Sequence, residues 1–249
     1  MAANAHALAL LEADPELTDG MSEEVRTAAT RMVVVRAFSL EPGPWIPDPE
    51  PPQEPATGLL ITDGLLTRDL TFAGRTTTEL LGAGDLIRPW DQDHGFEPAP
   101  VESSWYVHEP TRIAVLDARF AVATRRFPSL GAQIALKTVR RTRALAFQLA
   151  IAQLPRVEDR LVVLLWQLAE RWGRVSPDGV KLTLPLTHRV LATLVGARRP
   201  SVTTALTGLS RAGLVERDAD GWLLHGDPDE ILRERLLDGA SDDVAAAAS

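Results

Sequence analysis

Two arginines and a run of hydroxyl residues stand close together in one stretch of this chain: Arg198, Arg199, Ser201, Thr203, Thr204 and Thr207. Arginine is the side chain best shaped to give two hydrogen bonds to guanine O6 and N7, while Ser and Thr reach phosphates or either base type. A helix that reads DNA reaches base edges with its N-terminal residues. The polar set lies opposite an apolar stripe of Val202, Ala205, Leu206 and Leu209, as helical spacing requires. Pro200 suits the first turn, where its missing N–H goes unused.

The surrounding residues would position that helix. Thr187 stands where an N-cap belongs, and Val190, Leu191, Leu194 and Val195 follow as the stripe of a short amphipathic helix. Gly196 then occupies the place of a left-handed C-cap. Two helices joined by so short a turn form a helix-turn-helix. Leu214–Arg217 and Trp222–His225 read as strands around an Asp218–Gly221 turn, which makes a hairpin, or wing. Helix pairs of this kind also occur as plain structural hairpins with a solvated basic end. The wing and the cationic helix start argue for the DNA reading.

The stretch LTHRVLATLVGARRPSVTTALTGLSRAGLVER, residues 186–217, resembles the winged helix of the Crp/Fnr family of bacterial transcription regulators. Thr187, Val195-Gly196, Arg198-Arg199 and Ser201-Val202 match its pattern in order and spacing. The resemblance implies that Arg199 reads a base and that Thr187 and Ser201 contact phosphates. Arg198, Thr203, Thr204 and the hairpin's Arg217 complete the DNA-binding candidates. Pro200 stands where the family often has an acidic base reader, and Thr204 where it has a second arginine. The operator of the best-known members is therefore not expected here. The implied partners are double-stranded DNA, a second copy of the chain and RNA polymerase.

Composition sets outer limits. The chain has 249 residues, 45% of them hydrophobic, and no cysteine, which excludes disulfides, thiol catalysis and cysteine-ligated metals. No basic start followed by an apolar stretch marks a secretory signal. The longest apolar run, Leu161–Trp166, is far short of the ~20 residues of a membrane span. A cytoplasmic protein with no membrane partner is expected. The net charge of −8 suits a DNA binder only because it is unevenly spread. Residues 1–118 hold 7 Lys/Arg against 20 Asp/Glu (−13), residues 119–217 hold 17 against 5 (+12), and residues 218–249 hold 2 against 9 (−7). A local basic block is what nucleic-acid binding needs.

The rest of the chain reads as an α+β protein: an N-terminal antiparallel β-roll of jelly-roll type, a long dimerisation helix and the winged helix. The expected boundaries are 1–128, 129–154 and 155–226, with an acidic tail over 227–249. Residues 1–31 read as helical. Met32–Phe38 reads as a strand, and Glu41–Pro55, with seven prolines, as an extended loop. Gly58–Phe72 reads as a meander with turns at Asp63-Gly64 and Ala73-Gly74, and Trp105–His108 and Thr111–Leu116 as two further strands. Ile134, Leu136, Val139, Leu145, Leu149 and Ile151 mark a helix of ~25 residues, about 38 Å long. Its apolar face calls for a partner, and two-fold dimers are the commonest oligomers. Val157–Trp172 forms the next helix.

Leu80–Asp85 matches the family's glycine turn before its ligand-binding cassette. The Gly-Glu pair that holds a ribose in cyclic-nucleotide-binding members is replaced by Arg88-Pro89, and no Arg-Ser-Ala run lies between Trp90 and Trp105. A phosphate needs a fixed bidentate donor. Val101 stands where that arginine belongs, so cyclic AMP is not expected to bind with the family's affinity. Arg88, Trp90, Trp105 and Tyr106 are the candidates for another effector pocket, of unknown ligand, although large aromatics more often serve as core. Asp91, Asp93, His94 and Glu97 form an acidic cluster whose spacing fits no known metal loop. A hydrolase built on that cluster, or a metabolite- or protein-binding module, are the competing functions. Neither a nucleophile elbow, a P-loop nor a zinc motif supports an enzyme, and no cofactor is expected.

Overall fold

Alternating apolar and polar residues build the first of two units, 1–145 and 146–249, into which the chain divides. The computed structural model describes residues 5–48, 57–93 and 101–235. The elements of its first part are β1 (His6–Ala9), α1 (Leu10–Ala13), α2 (Glu23–Met32), β2 (Val34–Leu40), β3 (Gly43–Trp45), β4 (Gly58–Phe72), β5 (Arg75–Gly82), β6 (Leu86–Ile87), β7 (Glu102–Leu116), α3 (Ala118–Arg126) and α4 (Pro128–Gln153). Among the described residues the sheet runs β1-β2-β7-β4-β5, with β3 paired to β7 and β6 to β4, all antiparallel. This is the antiparallel roll that the strand pattern implied.

Side chains alternate across a strand, so one sheet feeds two apolar cores. Leu60, Ala114 and Leu116 join Leu10, Leu17, Phe120, Leu130 and Ile134 on one face. Leu59, Ile61, Ile113 and Val115 join Leu66, Leu81, Ile87, Trp90, Trp105 and Val107 on the other.

Several expectations need correction. Residues 6–9 are a strand, because pairing with β2 in the register His6↔Ala37 overrides the helical preference of Ala and Leu. The proline-rich segment contributes the short strand β3, which pairs with β7 through Trp45↔Trp105. Its Pro44 is tolerable in so short a strand at a sheet margin. Residues 49–56 lie outside the described residues. Asp63-Gly64 is not a turn. β4 and β7 continue through it as single 15-residue strands, with register shifts between Ile61 and Leu66. Bulges of this kind bend a long strand without ending it. Gly64 makes the bend possible: its φ is 95°, and a Cβ there would stand 2.4 Å from Thr111 Oγ1.

Helix α4 is the long helix expected, at 26 residues. Within the first unit its Leu130 and Ile134 are buried, and its Lys137 ammonium sits 2.9 Å from Asp14 and 3.2 Å from Glu16. Leu136, Val139, Leu145, Phe147 and Leu149 remain exposed along the helix.

The second part adds α5 (Val157–Trp172), β8 (Gly173–Ser176), β9 (Gly179–Leu182), α6 (His188–Leu194), α7 (Arg199–Arg211), β10 (Val215–Asp218), β11 (Gly221–Leu224) and α8 (Pro228–Arg233). The hairpin β8–β9 has no counterpart in the sequence reading. It widens the wing to a four-stranded sheet in the order β10-β11-β9-β8. Helix α8 opens the segment read as an acidic tail, and its N-cap Asp227 accepts from the backbone N–H of Asp229 and Glu230. Residues 236–249 lie outside the described residues.

Candidate nucleic-acid interface

Helix α7 buries Val202, Ala205, Leu206 and Leu209 and exposes the residues between them. Its packing partners are α5, α6 and β10. Thr187 is the N-cap of α6 and accepts from the Val190 N–H at 3.2 Å. Gly196, at φ 62°, turns the chain from α6 toward α7 as the sequence required. Arg198 is the N-cap of α7, but no side-chain bond caps the helix. The first helical residue is thus Arg199.

The side chains of Arg198, Arg199 and Ser201 are exposed and make no hydrogen bond or ion pair among the described residues. Thr203, Thr204 and Thr207 are exposed too. Their hydroxyls donate back to the carbonyls of Arg199 (3.1 Å), Pro200 (3.2 Å) and Thr203 (2.9 Å). Such bonds absorb the hydroxyl proton and leave oxygen lone pairs facing outward. The helix start therefore presents two free guanidinium groups and a free hydroxyl, followed by a ridge of acceptors.

One residue of this site was missed. His188, the first residue of α6, places its Nδ1 3.0 Å from Thr203 Oγ1. Its ring also stacks on Trp222 of β11, with centroids 6.1 Å apart and planes at 29°. Trp222 is 3% exposed and donates from Nε1 to the Leu186 carbonyl at 3.3 Å. A lone His among five carried no spacing signal, because its partners are distant in sequence. Arg217 is exposed but reaches back: its Nη1 donates to the same Leu186 carbonyl at 3.3 Å, and its guanidinium lies 4.8 Å from the Trp222 ring centre. It braces the wing and stands apart from the free cations of α7.

The four residues read as an effector pocket do not form one group. Trp90 and Trp105 are 8% and 5% exposed and belong to the same apolar core. Tyr106 is 48% exposed. As the neighbour of Trp105 on β7 it faces the opposite side of the sheet, since successive side chains alternate. Arg88 pairs with Asp91, donates to the Thr57 carbonyl at 3.0 Å and lies 5.5 Å from the Trp90 ring centre. Of the acidic cluster, His94 and Glu97 lie outside the described residues, as does the Asp93 side chain. No group of three metal-ligating side chains occurs among the described residues. No described helix is long and apolar enough to cross a membrane.

A β-roll, a long helix and a winged helix with a free cationic helix start define a class of two-part proteins. Residues 159–232 match the family model of the Crp-like helix-turn-helix domain. Over 72 residues the chain is 38% identical to the regulatory protein CysR of Synechococcus elongatus, a match covering 28% of this chain and 35% of that protein. Over 141 residues it is 29% identical to the CRP-like cAMP-activated global transcriptional regulator of Mycobacterium tuberculosis, covering 55% of this chain and 62% of that one. The chain thus spans less than two thirds of either relative. Among solved structures, a CooA variant from Carboxydothermus hydrogenoformans has the same fold, with a TM-score of 0.64 at 21% identity over 91% of this chain and 94% of that one. Residues 159–232 are thus similar to the Crp-like helix-turn-helix domain, and the chain shares the fold of the CooA variant.

Proposed function

We propose that the chain is a homodimeric, sequence-specific DNA-binding transcription regulator that acts in the cytoplasm without control by cyclic AMP. The observation that carries this reading is the start of α7, where Arg198, Arg199 and Ser201 are exposed and unpaired among the described residues while the opposite helix face is packed. Thr187 and Ser201 would hold phosphates, and Arg199 would read a base edge. Arg217 would hold the wing beside the backbone. Two copies related by a two-fold axis would demand a near-palindromic operator with half-sites about 10–10.5 bp apart.

Helix α4 supports the dimer. Leu136, Val139, Ala146, Phe147 and Ala150 recur three, four and seven residues apart, which sets them on one side of a helix, and all five are exposed. An apolar stripe of that extent on a soluble surface calls for a cover. A parallel copy of the same helix would supply it symmetrically.

The test is titration of a labelled operator duplex. Arg199→Ala should weaken binding by ~1–3 kcal/mol and relax one base preference, and affinity should fall steeply with salt as phosphates release counterions. Equal affinity of variant and parent would remove Arg199 from the reading set. Absence of salt-dependent retention on DNA would favour a metabolite- or protein-binding module instead.

The altered cassette supports independence from cyclic AMP. Arg88, at the place of the ribose-holding pair, is engaged with Asp91 and the Thr57 carbonyl. Calorimetric titration should show no micromolar cyclic AMP binding, and such binding would overturn this part of the proposal.

A further inference from the structure

Beside the free arginines of α7 stands a side chain whose two nitrogens have different duties. His188 places Nδ1 3.0 Å from Thr203 Oγ1, and Thr203 Oγ1 donates to the Arg199 carbonyl at 3.1 Å. A carbonyl can only accept, so the single hydroxyl proton of Thr203 is spent there. The hydroxyl oxygen then faces the imidazole as an acceptor. Both contacts hold together only if Nδ1 carries a proton. Thr203 thereby sets the tautomer of the neutral ring.

The stack on Trp222 fixes the plane of that ring. Trp222 is itself held by its bond to the Leu186 carbonyl. Nε2 is the nitrogen left over. It has no partner among the described residues, and His188 is half-buried. In the neutral ring Nε2 is a bare lone pair, because the one proton sits on Nδ1. Protonation puts an N–H on Nε2 and leaves the Thr203 bond and the Trp222 stack as they are.

The charged groups of the neighbouring elements leave Nε2 open. On α7, Arg199 is exposed and unpaired among the described residues. On β10, Arg217 donates to the Leu186 carbonyl and lies against Trp222. The two carboxylates of β10 face other cations: Glu216 lies 3.7 Å from His225, and Asp218 lies 3.7 Å from Lys181. β11 carries no charged residue. On α6, Arg189 follows His188 and is exposed.

We propose that His188 contacts the DNA backbone only in its protonated form, so that each chain takes up a proton as it binds. A phosphodiester accepts hydrogen bonds and donates none, so it meets Nε2 only as an N–H. A phosphate held there in turn favours the charged ring. Protons and DNA then promote each other's binding by the same factor. The arginines of α7 keep their charge at every working pH, so the proton dependence belongs to His188. This inference deepens the DNA-binding reading and rests on it.

The test is anisotropy titration of the full chain with a labelled duplex of mixed sequence at low salt, where phosphate contacts carry the binding. The pH runs from about 8 to about 6, within the range in which histidine gains its proton. The parent should bind severalfold more tightly at the acid end. Its slope of log affinity against log salt should steepen there by about 0.9 for each bound chain. His188→Asn keeps a donor for Thr203 but has no second ring nitrogen, and should lose the rise in affinity. His188→Arg carries a permanent charge and should bind at both pH values as the parent does at the acid end. His225→Gln removes the wing's other histidine and should keep the parent's profile. The proposal is overturned if the parent ignores pH, if either His188 variant keeps the rise, or if His225→Gln abolishes it. Salt-dependent binding that is indifferent to pH removes this inference alone. No binding to the duplex at either pH removes the DNA-binding reading with it.

Discussion

The exposed face of α7 and the interior of the roll treat positive charge in opposite ways. On α7, Arg198 and Arg199 stand in solvent with no partner among the described residues. In the roll, Lys137 is 5% exposed and clasped by Asp14 and Glu16, and Arg141 is held by both oxygens of Glu79. A cation in water costs nothing to leave free and stays available to a polyanion. A cation out of water destabilises the fold unless a carboxylate compensates it. The difference suggests how to find function in each region. On the surface, free charges mark the site. In the interior, paired charges belong to the architecture.

If that contrast is right, the two regions should fail for different reasons. The wing depends on packing, so Trp222→Ala should have the largest effect, a loss of ~3–5 kcal/mol measured by urea unfolding. The exchange removes a 3%-exposed ring together with the surface against which His188 and Arg217 lie. A loss under ~1 kcal/mol would show that the ring is not the keystone of that sheet.

The roll depends on compensation. Asp14→Asn keeps the shape but leaves the buried Lys137 with only Glu16, whose side chain is 58% exposed. Breaking a buried pair costs ~3–5 kcal/mol, and the remaining partner should hold the loss near the lower end. Recovery of the lost stability in Asp14→Asn combined with Lys137→Met would confirm that the cost is an uncompensated charge. No recovery would assign it to packing.

The smallest effect concerns pH. Burial pushes His108 below its usual 6.5, with the Asp69 carboxylate opposing the shift. The folded state thus favours the neutral ring, whose Nε2 lies 3.0 Å from Thr67 Oγ1. The unfolded chain takes up a proton first as pH falls below about 6.5, so this contribution is complete above that value and declines toward the folded pKa. Urea midpoints at pH 7.5 and 5 should differ less in His108→Gln than in the parent. Identical differences would show that His108 does not contribute.

The winged helix was legible because its signals are local. Thr187 as a cap, Gly196 as a turn and the stripe from Val202 to Leu209 each act within a few residues, and the fold obeys them. The roll was legible as a strand pattern but not in detail. Gly64 looked like a turn residue and is a bend inside a strand, because β7, far along the chain, pairs with β4 on both sides of it. Whether residues 6–9 form helix or strand was decided by β2. His188 escaped notice for the same reason. Its meaning lies in Thr203 and Trp222, which only the fold brings to it.

Selection of bound sites from random duplex DNA by the purified chain tests the central claim most directly. The account predicts enrichment of one near-palindromic sequence with half-sites about 10–10.5 bp apart, and loss of one base preference in each half when Arg199→Ala is used instead. No enrichment, or enrichment of a single unpaired half-site that Arg199→Ala leaves unchanged, would contradict it.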